Sequence, residues 1–104
     1  MSDLLKSEEL TVNLGAPDAE TLIMHPNEGR KFDCWESTKE FQLYTEMDEF
    51  IHASDQYREI TLDQQNDSNK GVIVMKNRLK KELGNPTTVI LFRKNNNIFL
   101  KPGE

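Results

Sequence analysis

The sequence predicts an α+β fold, an antiparallel sheet of about four or five strands packed against two helices, with an N-terminal meander and a C-terminal hairpin supplying the strands. Three features lead there. Apolar residues alternate near the N-terminus, a helical stripe with a marked terminator fills residues 72–83, and two apolar runs flank an asparagine triplet near the C-terminus. A chain of 104 residues fits one domain spanning its whole length.

The opening residues are expected to fray. Leu10, Val12 and Leu14 then alternate with Thr11 and Asn13, the period-two pattern of a half-buried strand, and Gly15-Ala16-Pro17-Asp18 supplies turn chemistry. Residues 21–25 read as a second strand, closed by Pro26-Asn27-Glu28-Gly29. Residues 31–35 read as a third, with Phe32 and Cys34 on one face. From Ser37 the period changes. Ser37-Thr38-Lys39-Glu40 fits a capping box, and Leu43, Met47, Phe50, Ser54 and Tyr57 recur at steps of three and four, which predicts a helix. The competing reading of this segment is a strand over residues 41–45 followed by a shorter helix. Residues 57–62 add a short strand.

Residues 64–69 are polar and rich in turn formers, hence a loop. Val72, Met75, Leu79 and Leu83 form a helical stripe that stops at Gly84, and Asn85-Pro86 blocks continuation. The β-branched Val72-Ile73-Val74 also reads as a strand leading into a helix from about Met75. Residues 87–92, the Asn95-Asn96-Asn97 triplet and Ile98-Phe99-Leu100 predict a hairpin ended by Pro102. Because Val89-Ile90-Leu91-Phe92 is apolar without alternation, its strand should be covered on both faces, in the middle of the sheet. No internal repeat is legible.

Hydrophobic residues at 36 % suffice for a core, while 30 % charged residues demand a solvated exterior. No apolar run is long enough to cross a bilayer and no signal peptide opens the chain, so a soluble cytoplasmic protein without a membrane role is expected. The single cysteine excludes an internal disulfide.

Charge is distributed unevenly. Residues 33–67 hold ten acids and two bases, whereas 68–104 hold two acids and eight bases, within a net charge of -5. Glu46, Asp48, Glu49, Asp55 and Glu59, with Glu36 and the aromatic anchor Trp35 beside it, are the candidate partner-binding residues. An uncompensated anionic face speeds encounter with a basic protein, as an inhibitor, an immunity protein or a regulatory subunit requires. The alternative is a nucleic-acid-associated regulator working through Lys76, Lys80, Lys81, Arg93 and Lys94, which would displace counterions from phosphates. The acidic overall charge argues against it. A homodimer joining the acidic region of one copy to the basic region of another is also compatible with this asymmetry.

No catalytic residues are assigned. The glycines are scattered singly, with no phosphate-cradling loop. His25, His52 and Cys34 lack close ligand spacing, so no metal and no cofactor is expected. Asp67-Ser68-Asn69-Lys70-Gly71 fails as a calcium loop, because Arg78 stands where a bidentate glutamate belongs. The expectation is a binding protein and not an enzyme.

Overall fold

The computed structural model describes residues 4–103, a closed seven-strand barrel with three short helices. In chain order its elements are β1 (Leu5–Leu14), β2 (Thr21–Met24), α1 (Pro26–Lys31), β3 (Thr38–Tyr44), α2 (Met47–Ile51), β4 (Arg58–Gln64), β5 (Val72–Met75), α3 (Asn77–Glu82), β6 (Thr88–Lys94) and β7 (Asn97–Pro102). Around the barrel the strands run β1-β5-β2-β4-β3-β7-β6, and β6 closes the ring against β1. Pairing is mixed: β1 with β5, β2 with β4 and β3 with β7 are parallel, and the rest are antiparallel.

This corrects the expected α+β sheet packed against two helices. Closure removes every sheet edge, so no helix layer is needed to complete the core. Each strand turns alternate apolar residues inward, among them Leu10 and Val12 of β1, Leu22 and Met24 of β2, and Phe41 and Leu43 of β3, all buried. The long helix predicted from Ser37 is β3 followed by the short α2, close to the competing reading of that segment. The residues of the supposed capping box open β3 instead, where Thr38 lies opposite Asp63 and Glu40 opposite Thr61. The third strand expected at 31–35 is absent: α1 occupies 26–31 and a turn follows, with Asp33 at φ 65°. The fraying expected of the opening residues falls in part outside the described residues, and β1 is already formed at Leu5.

The helical stripe expected over residues 72–83 is also corrected, since Val72 and Met75 belong to β5 and the helix begins only at Asn77; the alternative reading of its start, its ending and the C-terminal hairpin hold. Residues 72–75 are a strand leading into α3, which stops at Gly84, whose φ of 89° is the left-handed conformation that releases a helix. The β6–β7 hairpin turns through Asn95 at φ 57°. Val89 and Leu91 point inward, while Phe92 on the other face is covered by Phe99 and lies under Lys6. The two-face coverage arises without a central strand, since a barrel has none.

The structure also contains a repeat. β1-β2-α1-β3 and β4-β5-α3-β6 follow one pairing scheme in which each half's second strand pairs parallel with the other half's first. β2 and β5 meet antiparallel at the junction. The registers superimpose Thr11 on Thr61, Met24 on Met75 and Phe41 on Val89. The helices therefore cap opposite ends of the barrel, α1 beyond β2 and α3 beyond β5.

Candidate functional site

α2 is tied to the outside of the barrel by aromatic contacts. Phe50, its one buried residue, stacks on Phe99 of β7 at 5.8 Å between ring centroids and meets Tyr44 of β3 edge-on at 6.0 Å. The Tyr44 hydroxyl donates to the Ser54 carbonyl at 2.6 Å, fixing the chain after α2, and burial pushes its pKa up. With Phe50 inward, the rest of the strap faces out. Glu46, Asp48 and Asp55 are exposed and Glu49 is half-buried. Glu59, also exposed, stands opposite Gln42 on the outer face of β3 and β4, where the two residues, Glu40 and Asn96 border a shallow cleft of about 210 Å³.

Among the described residues, only Glu36 of the ten acids in 33–67 has an ion-pair partner. Both cations of that stretch are occupied: Lys39 pairs with Glu36 at 3.3 Å, and Arg58 pairs with Glu82 of α3. Among the described residues, no cation of the last third forms an ion pair with these carboxylates. The acids of α2 and of β4 thus stand without ion-pair partners among the described residues.

Trp35 and Glu36 do not join them. They precede β3, whereas α2 follows it, so the two groups lie toward opposite ends of that strand. The Glu36 carboxyl is held below the usual range by its own backbone amide and then by Lys39.

The basic residues divide in the same way. Lys76, Lys80 and Lys81 lie at and on α3, near the start of β6, and have no ion pair among the described residues. Arg93 and Lys94 lie at the opposite end of β6. Arg93 is committed to the fold: its guanidinium lies 5.0 Å from the centroid of Phe41, and it donates to the carbonyls of Phe32, Asp33 and Asn95. The five bases therefore form no single stripe.

The histidines are engaged locally. His25 Nδ1 accepts from the Asn27 amide at the start of α1, and His52 Nδ1 lies 2.8 Å from the Asp48 carbonyl at the end of α2. Cys34 is buried, and burial pushes its thiol pKa up. No cluster of three or more His, Cys, Asp or Glu side chains suited to a metal occurs among the described residues. Nor, among them, is any helix long and apolar enough to cross a membrane.

Sequence reasoning missed two groups. One is Arg30, whose guanidinium lies 5.8 Å from the centroid of Trp35; the signal was hidden because Pro26-Asn27-Glu28-Gly29 reads as a turn and not as a helix. The other is Glu82, which pairs with Arg58 across the seam between α3 and β4 and with Arg78 one turn earlier on α3. No protein-family model, curated protein or solved structure matches the chain significantly.

Proposed function

We propose that this chain is a small cytoplasmic binding protein whose acidic flank, α2 with the outer face of β4, docks on a basic surface of another protein, as an inhibitor, an immunity-type protein or a regulatory protein. One observation carries the reading. The acids of this flank lack counter-charges because the nearby cations are paired elsewhere. Such a surface costs some stability through self-repulsion and raises association rates by about 10-fold or more at low salt.

The test is a triple substitution, Asp48→Asn with Glu49→Gln and Asp55→Asn, measured against a partner recovered from the native host. Association should slow by about tenfold and lose most of its salt dependence. Stability should barely change, because repulsion relieved on the flank offsets the roughly 0.3–1 kcal/mol per charge that acids contribute near a helix start. Unchanged affinity and salt response would remove the proposal.

A second reading, nucleic-acid association, draws on Lys76 at the start of α3 and Lys80 and Lys81 within it, which have no ion pairs among the described residues; Lys76 and Lys81 are exposed and Lys80 is half-buried. It predicts binding to generic DNA or RNA that weakens steeply between two salt concentrations and disappears when these three lysines are replaced by glutamine. Absence of binding at low salt would reject it.

A further inference from the structure

The feature that the acidic flank leaves unused is the approach to Trp35. The chain's one tryptophan is 69 % exposed, yet it sits on a segment whose main chain is tied down from several sides. Arg93 donates to the carbonyls of Phe32 at 3.3 Å and Asp33 at 2.8 Å. Gln64 Nε2 donates to the carbonyls of Cys34 at 3.1 Å and Glu36 at 2.8 Å, on either side of the tryptophan. The indole N–H donates to Asp33 Oδ1 at 2.9 Å, which sets the ring's rotation. A large apolar ring displayed at this exposure in so constrained a setting is preorganised to be covered.

Beside the ring is an open cleft of about 190 Å³, lined by Pro26, Arg30, Trp35, Ser37, Gln64 and Asn66. It is smaller than a site for a drug-sized molecule, which needs roughly 300 Å³ or more, and admits one flat ring system. Apart from the indole face and Pro26 its walls are polar, which does not suit an aliphatic anchor from a protein partner. Ser37 and Asn66 make no side-chain hydrogen bonds among the described residues and keep their donors and acceptors available. Arg30, above the ring, has no ion-pair partner there either, whereas Lys31 and Lys39 are paired.

We propose that this cleft binds a nucleobase, with Trp35 as the stacking face, Ser37 and Asn66 reading the base edge and Arg30 holding an attached phosphate. Aromatic stacking accepts any base, amide and hydroxyl groups discriminate in the ring plane, and the unpaired guanidinium supplies the charge that a bare base would not need. The base comes from a free mononucleotide or from an unpaired position in a single strand. The site is independent of the acidic flank, so the triple substitution there should leave it intact.

Trp35 is its own reporter, because no other indole contributes to the emission. Titrating the full chain with AMP, UMP and a short oligouridylate should give saturable quenching with a midpoint near or below about 1 mM. Equal response to mononucleotide and oligomer assigns a free nucleotide, and response to the oligomer alone assigns a single strand; either supports the site. Arg30→Gln should weaken AMP by about tenfold while leaving adenosine unchanged, a split that a merely structural arginine would not produce. Trp35→Ala, followed by calorimetry, should abolish binding, whereas Trp35→Phe should retain part of it. The proposal falls if no base-containing ligand gives saturable quenching up to about 10 mM, or if inorganic phosphate quenches as strongly as AMP.

Discussion

Phe41→Ala is expected to lower the free energy of unfolding by about 3–5 kcal/mol, measured by equilibrium urea denaturation. Phe41 is 2 % exposed, opposite Ile60 in the β3–β4 register, and belongs to the barrel core. Lys39 and Arg93 lie over its ring, at 5.7 Å and 5.0 Å from the centroid, so truncation removes apolar burial and also a surface on which two cations rest. The surroundings cannot collapse into the space easily. β3 is hydrogen-bonded on both sides, to β4 and to β7, and any inward shift would strain two ladders at once. The melting temperature should fall by on the order of 15 °C. Phe41→Leu, which refills most of the volume, should cost less than about 1.5 kcal/mol. A loss below about 1 kcal/mol for the alanine variant would mean that the barrel interior is not packed as described.

Arg93 links this core position to the surface. The same guanidinium that covers Phe41 holds the carbonyls before Trp35, so the hairpin of β6 and β7 serves the presentation of a ring in a distant part of the sequence. Nothing local reveals such a link. Arg93 read as a surface cation because its neighbours Lys94 and Asn95 are polar, and its role depends on β6 ending beneath the turn after α1.

The hairpin itself was legible because its signals are local: a β-rich run, a turn that tolerates left-handed backbone and a returning apolar run. The end of α3 was legible for the same reason, through Gly84. Between Ser37 and Tyr57 the signals were present but ambiguous. Leu43 faces the barrel interior, Tyr44 faces out beneath α2, and Phe50 comes back onto the same outer surface. Covering the outer face with α2 places apolar residues on both sides of β3, which erases strand alternation and creates a false helical spacing. The repeat was hidden because equivalent positions mostly carry unlike residues: Met24 and Met75 coincide, but Glu28 falls on Leu79 and Gly29 on Lys80. Barrel closure rests on the pairing of β1 with β6, residues far apart in sequence, for which no local pattern exists. In the candidate site the charge division was visible in composition, whereas which cations were already paired depended on the fold.

Glu28 provides the second large expected effect. It is 3 % exposed on α1, a burial usual for an apolar residue, and the equivalent place in the other half is held by the fully buried Leu79. Two contacts hold the carboxylate, although Oε1 has no hydrogen-bond partner among the described residues. Oε2 accepts the Gly71 backbone N–H at 2.8 Å, and the Lys31 ammonium lies 3.5 Å from Oε1 while also reaching Glu8. In the other half the amide equivalent to Gly71, that of Glu20, is satisfied by the nearby Asp18, so no carboxylate is needed from α3 and leucine can fill the space. Glu28→Leu should therefore destabilise by about 1–3 kcal/mol despite matching its counterpart, because the half-buried Gly71 N–H would lose its acceptor. Glu28→Gln keeps that acceptor and should cost less than about 1 kcal/mol. The charge can be followed separately. Glu28 is the main cause of the raised pKa of Lys31, so the stability from this pairing is present at neutral pH and is lost only as pH rises through the elevated lysine pKa. In Glu28→Gln the Lys31 pKa, read by NMR titration, should return toward its ordinary value of 10.5. If Glu28→Leu were as stable as the parent chain, the carboxylate would not be what joins α1 to the start of β5, and that junction would rest on the strand ladders and apolar packing between the halves.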